Sequence, residues 1–418
     1  LISGANGWYG YALQDAYLRA EGQNKEDAML LSTDRILTTH VGSLPRPQQV
    51  VDQLFAQDAG ESYAPEVFDR IMTSAVAEVV GAQIDTGIDV VSDGEMSKIS
   101  YATYIRHRLT GFEIGEMPRT VPKDLDDYPD YKERLARLGA TPKYHRPICC
   151  GPIATKDLSS LEKDIANLKA AASQAGAPEA FMNAASPGVI AVFQPNKHYG
   201  SQEEYIEALA EAMRAEYEMI VAAGLILQID SPDLAMGRHI RFRDADEAEF
   251  LRNAALQVEA LNHALRNVPA DRVRMHICWG NYEGPHTHDI PLETIVGTVL
   301  KAKPQAYLFE ASNPRHAHEW AVWAKTAIPD DKVLIPGVID SVTNFVEHPE
   351  LVAERIGRFA DIVGRERVLA GTDCGFGTFA GFGAVHPPIA YAKLRSLVEG
   401  ARIASSRLWP RPARASAG

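Results

Sequence analysis

A chain of 418 residues with 42 Lys and Arg against 55 Asp and Glu carries a net charge of −13, and 46% of it is hydrophobic. That balance excludes a disordered or collagen-like polymer, and four cysteines are too few for a disulfide scaffold. The acidic excess argues against a non-specific polyanion binder, and apolar runs such as Met219–Leu227 stop well short of the roughly 20 residues of a membrane span.

Residues 1–28 look unlike the rest. Their Gly4, Gly7 and Gly10 superficially suggest nucleotide binding, but only three residues precede them, so no strand can feed a phosphate-cradling turn. The segment reads as an extension outside the fold, with Met29 the expected native start. No secretory signal is recognisable, which predicts a cytoplasmic protein.

From Met29 onward, short β-rich runs alternate with amphipathic helical stretches. The runs are Ile36–Gly42, Asp89–Asp93, Gly188–Phe193, Leu225–Asp230, Val273–Cys278, Ala306–Glu310, Val333–Ile339 and Val368–Asp373. Helices are predicted over Pro65–Thr86, Ser201–Ala223, Ala245–Asn267, Leu292–Lys301 and Pro349–Val363. Pro65 suits a first helical position, and Ser201 with Glu204 has the form of a capping box. A ninth run, Pro147–Ile153, fits a side hairpin or insertion strand, and Glu113–His145 reads as an insertion with its own short helix. Eight β-then-α alternations predict an α/β fold: a single (β/α)8 TIM-type barrel over residues 29–400, with an insertion after the second strand. Residues 401–418 are expected to be a loose tail.

In such a barrel the C-terminal strand ends build the site. Here they carry Ser43, Glu95, Asp230, His276, Cys278, Glu310, Asp340 and Cys374. His276 and Cys278 are two apart on a strand, so both side chains face the same way. Imidazole and thiolate together suit Zn²⁺, and barrel closure brings Cys374 near them, with Glu310 between. His286 and His288 in the next loop are alternative ligands, or exposed loop or substrate contacts. The adjacent Cys149 and Cys150 read as buried thiols.

Thr38–Ser43 (TTHVGS), Asp93–Glu95 (DGE), Gln228–Asp230 (QID), His276–Cys278 (HIC), Phe309-Glu310 and Asp373-Cys374-Gly375 together resemble the catalytic barrel of cobalamin-independent methionine synthases, in order over about residues 34–395. The resemblance implies zinc ligands His276, Cys278, Glu310 and Cys374, with the metal holding the sulfur of homocysteine or a similar thiol. It also implies that Ser43, Glu95 and Asp230 hold the amino-acid part of that thiol. The activity implied is zinc-dependent S-methyl transfer, within methionine biosynthesis.

Two departures bear on the methyl donor. Folate-using members have a second, preceding barrel that this chain has no room for, and they carry a His where Val342 follows Asp340. That His is linked to proton delivery, which leaves Asp340 as the candidate proton donor. Epoxyalkane:coenzyme M transferases are a second branch that resembles this chain; a sulfonated thiol would call for a basic anchor, for which Arg238, Arg241 and Arg315 are candidates. A non-catalytic zinc- or thiol-binding barrel keeps the same ligands without turnover. The expected partners are a small thiol and an alkyl donor, not nucleic acid or membrane, and nothing in the sequence excludes a homo-oligomer.

Overall fold

The structure, a computed structural model, describes residues 28–61, 64–115, 121–137 and 146–410. The Gly4–Gly10 string therefore lies outside the described residues. Nine strands occur in these segments: β1 (Val90–Val91), β2 (Phe112–Ile114), β3 (Pro147–Cys149), β4 (Glu179–Ala185), β5 (Ile226–Asp230), β6 (Val273–Ile277), β7 (Ala306–Glu310), β8 (Val333–Ile339) and β9 (Gly371–Thr372). Seven form one sheet in the order β1-β4-β5-β6-β7-β8-β9, every pair parallel.

The first predicted strand supplies the closing stave. Thr38 O accepts from Val90 N at 3.0 Å on one edge, while Thr39 N donates to Ala370 O at 2.9 Å and Ala370 N to Leu37 O at 2.8 Å on the other. The stave is irregular because a side chain takes part of its ladder: Thr38 N donates to Asp89 Oδ2 at 2.8 Å. Counting it, eight parallel staves close a barrel, as the alternation predicts.

Side-chain parity then divides the strands. Leu37, Val41, Val90, Phe181, Ile226, Ala306, Leu308, Val333 and Ile335 pack with Met29 as one buried cluster filling the barrel. Their neighbours Leu227, Ile229, Met275, Ile277, Tyr307 and Phe309 join the larger core under the helices. Continuing the inward parity toward the C-terminal ends reaches Gln228 and Asp230, Arg274, His276 and Cys278, and Glu310. Met29 closes the opposite end, buried, with its N–H on Asp271 O at 3.0 Å.

One predicted strand is a helix. Residues Pro187–Phe193 form a helix, and the strand of that unit is β4, just before it. Ser186 caps it, accepting from Val189 N at 2.9 Å, with Pro187 at the first helical position. Because the helix is buried nearly all round, its sequence shows the unbroken apolar run of a buried strand. Ser186 Oγ also donates to buried Asp233 at 2.7 Å. Ser186→Ala is thus expected to cost about 2 kcal/mol, the sum of a lost cap and an unmade buried hydrogen bond. A lower urea midpoint at unchanged m-value would show it.

The helices expected at Pro65–Thr86 and Pro349–Val363 have those bounds. Ser201 caps the helix Gln202–Ala222 through Glu204 N at 3.1 Å. The helices Gln48–Asp58, Ser159–Ala175, Glu247–Ala264, Leu292–Val299 and Pro387–Leu408 complete the outer layer. The last corrects the expected tail boundary: residues 401–408 are helical, with Ala401 and Ala404 buried. After β1 comes the insertion, where β2 and β3 pair antiparallel as a side ribbon and two short helices, Asp124–Asp127 and Pro129–Arg137, follow β2. Cys149 is buried in that ribbon, but Cys150 is exposed, contrary to the paired expectation. Among the described residues no helix is long and apolar enough to cross a membrane.

Candidate metal centre and substrate pocket

β6 carries His276 to the barrel mouth, and the strand's extension places Cys278 on the same inward face. Cys374 follows β9, and barrel closure brings its Sγ to 3.8 Å from that of Cys278. One potential ligand atom from each of His276, Cys278 and Cys374 lies within 4.8 Å of the others, and all three residues are buried. Cys374, burial and Glu310 all push the Cys278 thiol well above its ordinary pKa. Burial opposes the charge on His276, yet the Asp230 carboxylate and Cys278 raise it to about 10. A bound cation would release the thiol protons and be held by two thiolates and a nitrogen.

Glu310 stands beside this set. Its Oε1 accepts from Trp279 N at 2.8 Å and its Oε2 from Asn313 Nδ2 at 3.0 Å. It shares a small recess with Cys374, Asp340 and Val342. Its carboxylate is thereby oriented, although the tight set contains only the other three residues.

The expected substrate residues line the same mouth. Ser43 is buried against the segment after Cys374, accepting from Phe376 N at 2.8 Å through its carbonyl. A Cβ on Gly375 would fall 2.0 Å from Ser43 Oγ, so any side chain here must shift Ser43. Gly375→Ala is accordingly expected to displace Ser43 and raise KM for the thiol, with the metal content unchanged.

Glu95 takes a left-handed backbone conformation at φ 55°, uncommon for a residue with a side chain, and one found at functional sites. Arg46 holds it there, donating from Nε and Nη2 to Glu95 O at 3.0 and 2.8 Å. Burial raises its carboxyl to about 7; Lys98 opposes the shift and Asp230 adds to it. Asp230 accepts from Asn183 Nδ2 at 2.9 Å and from Gln228 Nε2 at 3.1 Å, and its Oδ1 lies 3.5 Å from His276 Nδ1. Among the described residues, buried Glu95 Oε2 and Asn183 Oδ1 make no hydrogen bond.

Asp340 is turned to its own loop, accepting from Val342 N at 3.0 Å, from Thr343 N at 2.9 Å and from the Thr343 hydroxyl. The loop histidines lie apart from the thiols: buried His286 bonds Asp289 at 2.7 Å, and His288 bonds Asp127 at 2.6 Å. Arg238 donates to Phe242 O at 2.7 Å and Arg315 to His286 O at 3.0 Å, while Arg241 is exposed.

Three residues of this region are given no role by the sequence alone. Asn183 was hidden by the misplaced strand. Asp373 accepts Ala311, Ser312 and Asn313 N–H groups at 2.7–2.9 Å, fixing the turn after β7 to the Cys374 segment. Buried Lys98 donates to Asn183 O at 2.5 Å; its only sequence signal was proximity to Asp93–Glu95.

The fold and the site define a (β/α)8-barrel protein with a thiol-and-imidazole group that could hold a metal ion at the C-terminal mouth. Residues 187–402 match the family described as Cobalamin-independent synthase, Catalytic domain, and the chain belongs to that family. It is 26% identical over 377 residues to a methionine synthase of Saccharolobus islandicus, covering 89% of this chain and 95% of that protein. A methionine synthase of Sulfolobus acidocaldarius is 24% identical over 375 residues, with coverages of 89% and 93%. Among solved structures, a B12-independent methionine synthase from Shewanella in complex with selenomethionine aligns with a TM-score of 0.68 at 20% identity, covering 90% of this chain and 99% of that one. A putative vitamin-B12-independent methionine synthase from Listeria monocytogenes aligns at 0.62, with 21% identity and coverages of 88% and 98%.

Proposed function

We propose that this protein is a zinc-dependent thiol S-methyltransferase that methylates homocysteine or a close aminated thiol. The observation that carries this reading is the adjacency of two sites in one mouth. One is the ligand set of His276, Cys278 and Cys374; the other is a buried acceptor group, Glu95, Asp230 and Asn183, with two oxygens that make no hydrogen bond. Buried acceptors without donors are costly, so that group suits a ligand bringing donors, as an ammonium does. Relatives of nearly the same length called methionine synthases support the reading, since they too are matched over almost their whole length by a single barrel.

Zn²⁺ bound by His276, Cys278 and Cys374, with Glu310 as a fourth ligand, would supply the positive charge that keeps a substrate thiol as its thiolate near neutral pH. In the reaction a sulfur–carbon bond forms as the methyl–donor bond breaks, and the donor leaves with the electron pair. The chain's own residues position the reactants. Glu95 and Asp230 face the ammonium, Ser43 lies by the Cys374 segment, and Asp373 fixes the β7 turn to that segment. Asp340 spends its oxygens on its own loop and therefore orients the recess.

Glu95→Gln or Asp230→Asn is expected to raise KM for homocysteine by about 10- to 100-fold, as charge-assisted hydrogen bonds are worth about 1.5–3 kcal/mol. KM for a thiol without an amino group should hardly change; equal effects on both thiols would contradict this reading. The pH dependence has a definite sign. The Glu95 carboxyl, raised to about 7, is neutral below that pH and charged above it. Affinity for the ammonium should therefore improve as pH rises through 7, and Glu95→Gln should flatten the profile.

A further inference from the structure

Beside Trp279, three further side chains converge that share no residue with the thiol set: Asp124, His239 and Asp289, with ligand atoms within 4.8 Å of one another. They come from three separate segments: Asp124 from the insertion, His239 from the short helix Gly237–Ile240 after β5, and Asp289 from the loop after β6. The His239 ring lies between the carboxylates, its Nδ1 3.8 Å from Asp124 Oδ2 and its Nε2 3.7 Å from Asp289 Oδ1. Nε2 also lies 2.8 Å from Trp279 O. A carbonyl can only accept, so Nε2 carries the proton, and in the neutral ring Nδ1 presents a lone pair.

His239 is 1% exposed and the Asp289 side chain 2%, yet neither His239 Nδ1 nor Asp289 Oδ1 makes a hydrogen bond among the described residues. The donors around them are directed elsewhere. His286 Nδ1 and His316 Nε2 both reach the other oxygen of Asp289, at 2.7 and 2.9 Å. Their remaining nitrogens go to Tyr282 O at 3.1 Å and Glu319 Oε2 at 2.8 Å. Asp124 is fixed by His288 N at 2.8 Å, Thr287 Oγ1 at 3.1 Å and the Tyr282 hydroxyl. The Nε2–H of His239 is spent on Trp279 O and the Tyr282 hydroxyl on Asp124 Oδ2, which leaves His239 Nδ1 and Asp289 Oδ1 as two buried acceptors without a donor among the described residues, a costly arrangement unless a cation joins them.

We propose that Asp124, His239 and Asp289 form a second, separate site for a divalent transition cation of the Zn²⁺ or Mn²⁺ class. One imidazole and two carboxylates suit that class. The two histidines on the outer oxygen of Asp289 are the orienting partners that a metal-binding carboxylate needs. A cation there staples the insertion to the β5 and β6 ends across the barrel mouth.

The test uses the full chain, stripped by chelation and titrated with Co²⁺. Two equivalents should bind. One should bring intense thiolate-to-metal absorption in the near ultraviolet, the other only weak visible bands. His239→Gln and Asp289→Asn should each remove the second equivalent and leave the thiolate absorption intact. A measurement independent of how those variants fold is Mn²⁺ binding to the Cys278→Ser/Cys374→Ser protein. One equivalent should bind and raise Tm by a few degrees, as expected for a ligand held only by the native state. A single Co²⁺ equivalent in the unaltered protein, or a second one surviving both His239→Gln and Asp289→Asn, overturns the proposal. So does the absence of Mn²⁺ from the cysteine variant, which would assign the cluster to a protonated His239 bridging the two carboxylates.

Discussion

Replacing Cys374 by Ser is expected to abolish methyl transfer and to empty the thiol centre while leaving the barrel folded. Cys374 provides one of the two sulfurs at the mouth, and the sulfurs face each other at 3.8 Å. The barrel interior below is filled by aliphatic side chains from the staves, so the fold does not rest on the centre. An alkyl thiol with a pKa near 8.5 is only about 3% thiolate at pH 7, so losing its activation alone costs roughly 30-fold. Loss of positioning next to the donor should take the total to about 10³-fold or more. Thiol-centre zinc should fall from one per chain to near zero, and Tm should move by only a few degrees. Cys278→Ser should behave alike. Full activity in a Cys374→Ser protein free of metal at this centre would refute the metal-dependent mechanism.

The second large effect concerns the methyl donor. Transfer from methyltetrahydrofolate leaves a nitrogen that must be protonated, and general acids contribute roughly 10²–10⁴-fold to such steps. The recess beside Cys374 offers Val342 and Asp340, and the Asp340 oxygens already accept from Val342 and Thr343. This protein is therefore expected to use methyltetrahydrofolate about 10²- to 10⁴-fold less well than a methylated corrinoid, whose leaving group needs no proton. A competition assay with both donors reads the ratio directly. Val342→His should narrow it by improving the folate reaction alone. Efficient folate turnover that survives Asp340→Asn would refute the argument.

Much of this architecture is legible in the residue order because the barrel repeats one physical pattern. Glycines, prolines and caps punctuate it, as at Pro65 and Ser201, and inward parity on β6 pairs His276 with Cys278. The reading failed where local and tertiary signals diverge. Helix Pro187–Phe193 is buried nearly all round and so loses the one-sided pattern of a surface helix, which displaced β4 and concealed Asn183. The tail boundary failed because Ala401 and Ala404 bury against the body at spacings that Ser and Arg neighbours mask. The network of Asp124, His239 and Asp289 joins segments 50 to 165 residues apart, and no spacing rule predicts such a meeting.

The closing stave has a consequence for synthesis of the chain. Leu37 and Thr39 pair with Ala370, so the first and last staves meet across some nine-tenths of the described fold. Until the ribosome has released residues near Cys374, both β8 and the first stave present open edges, which are templates for pairing with other chains. His276 and Cys278 are made about a hundred residues before their third partner, and on a nascent chain they form only an incomplete chelate. Long-range closure is slow because the loop entropy is paid before the contacts reward it. The candidate ligand group of His276, Cys278 and Cys374 is therefore assembled by the last event of folding, and only a finished barrel can display it.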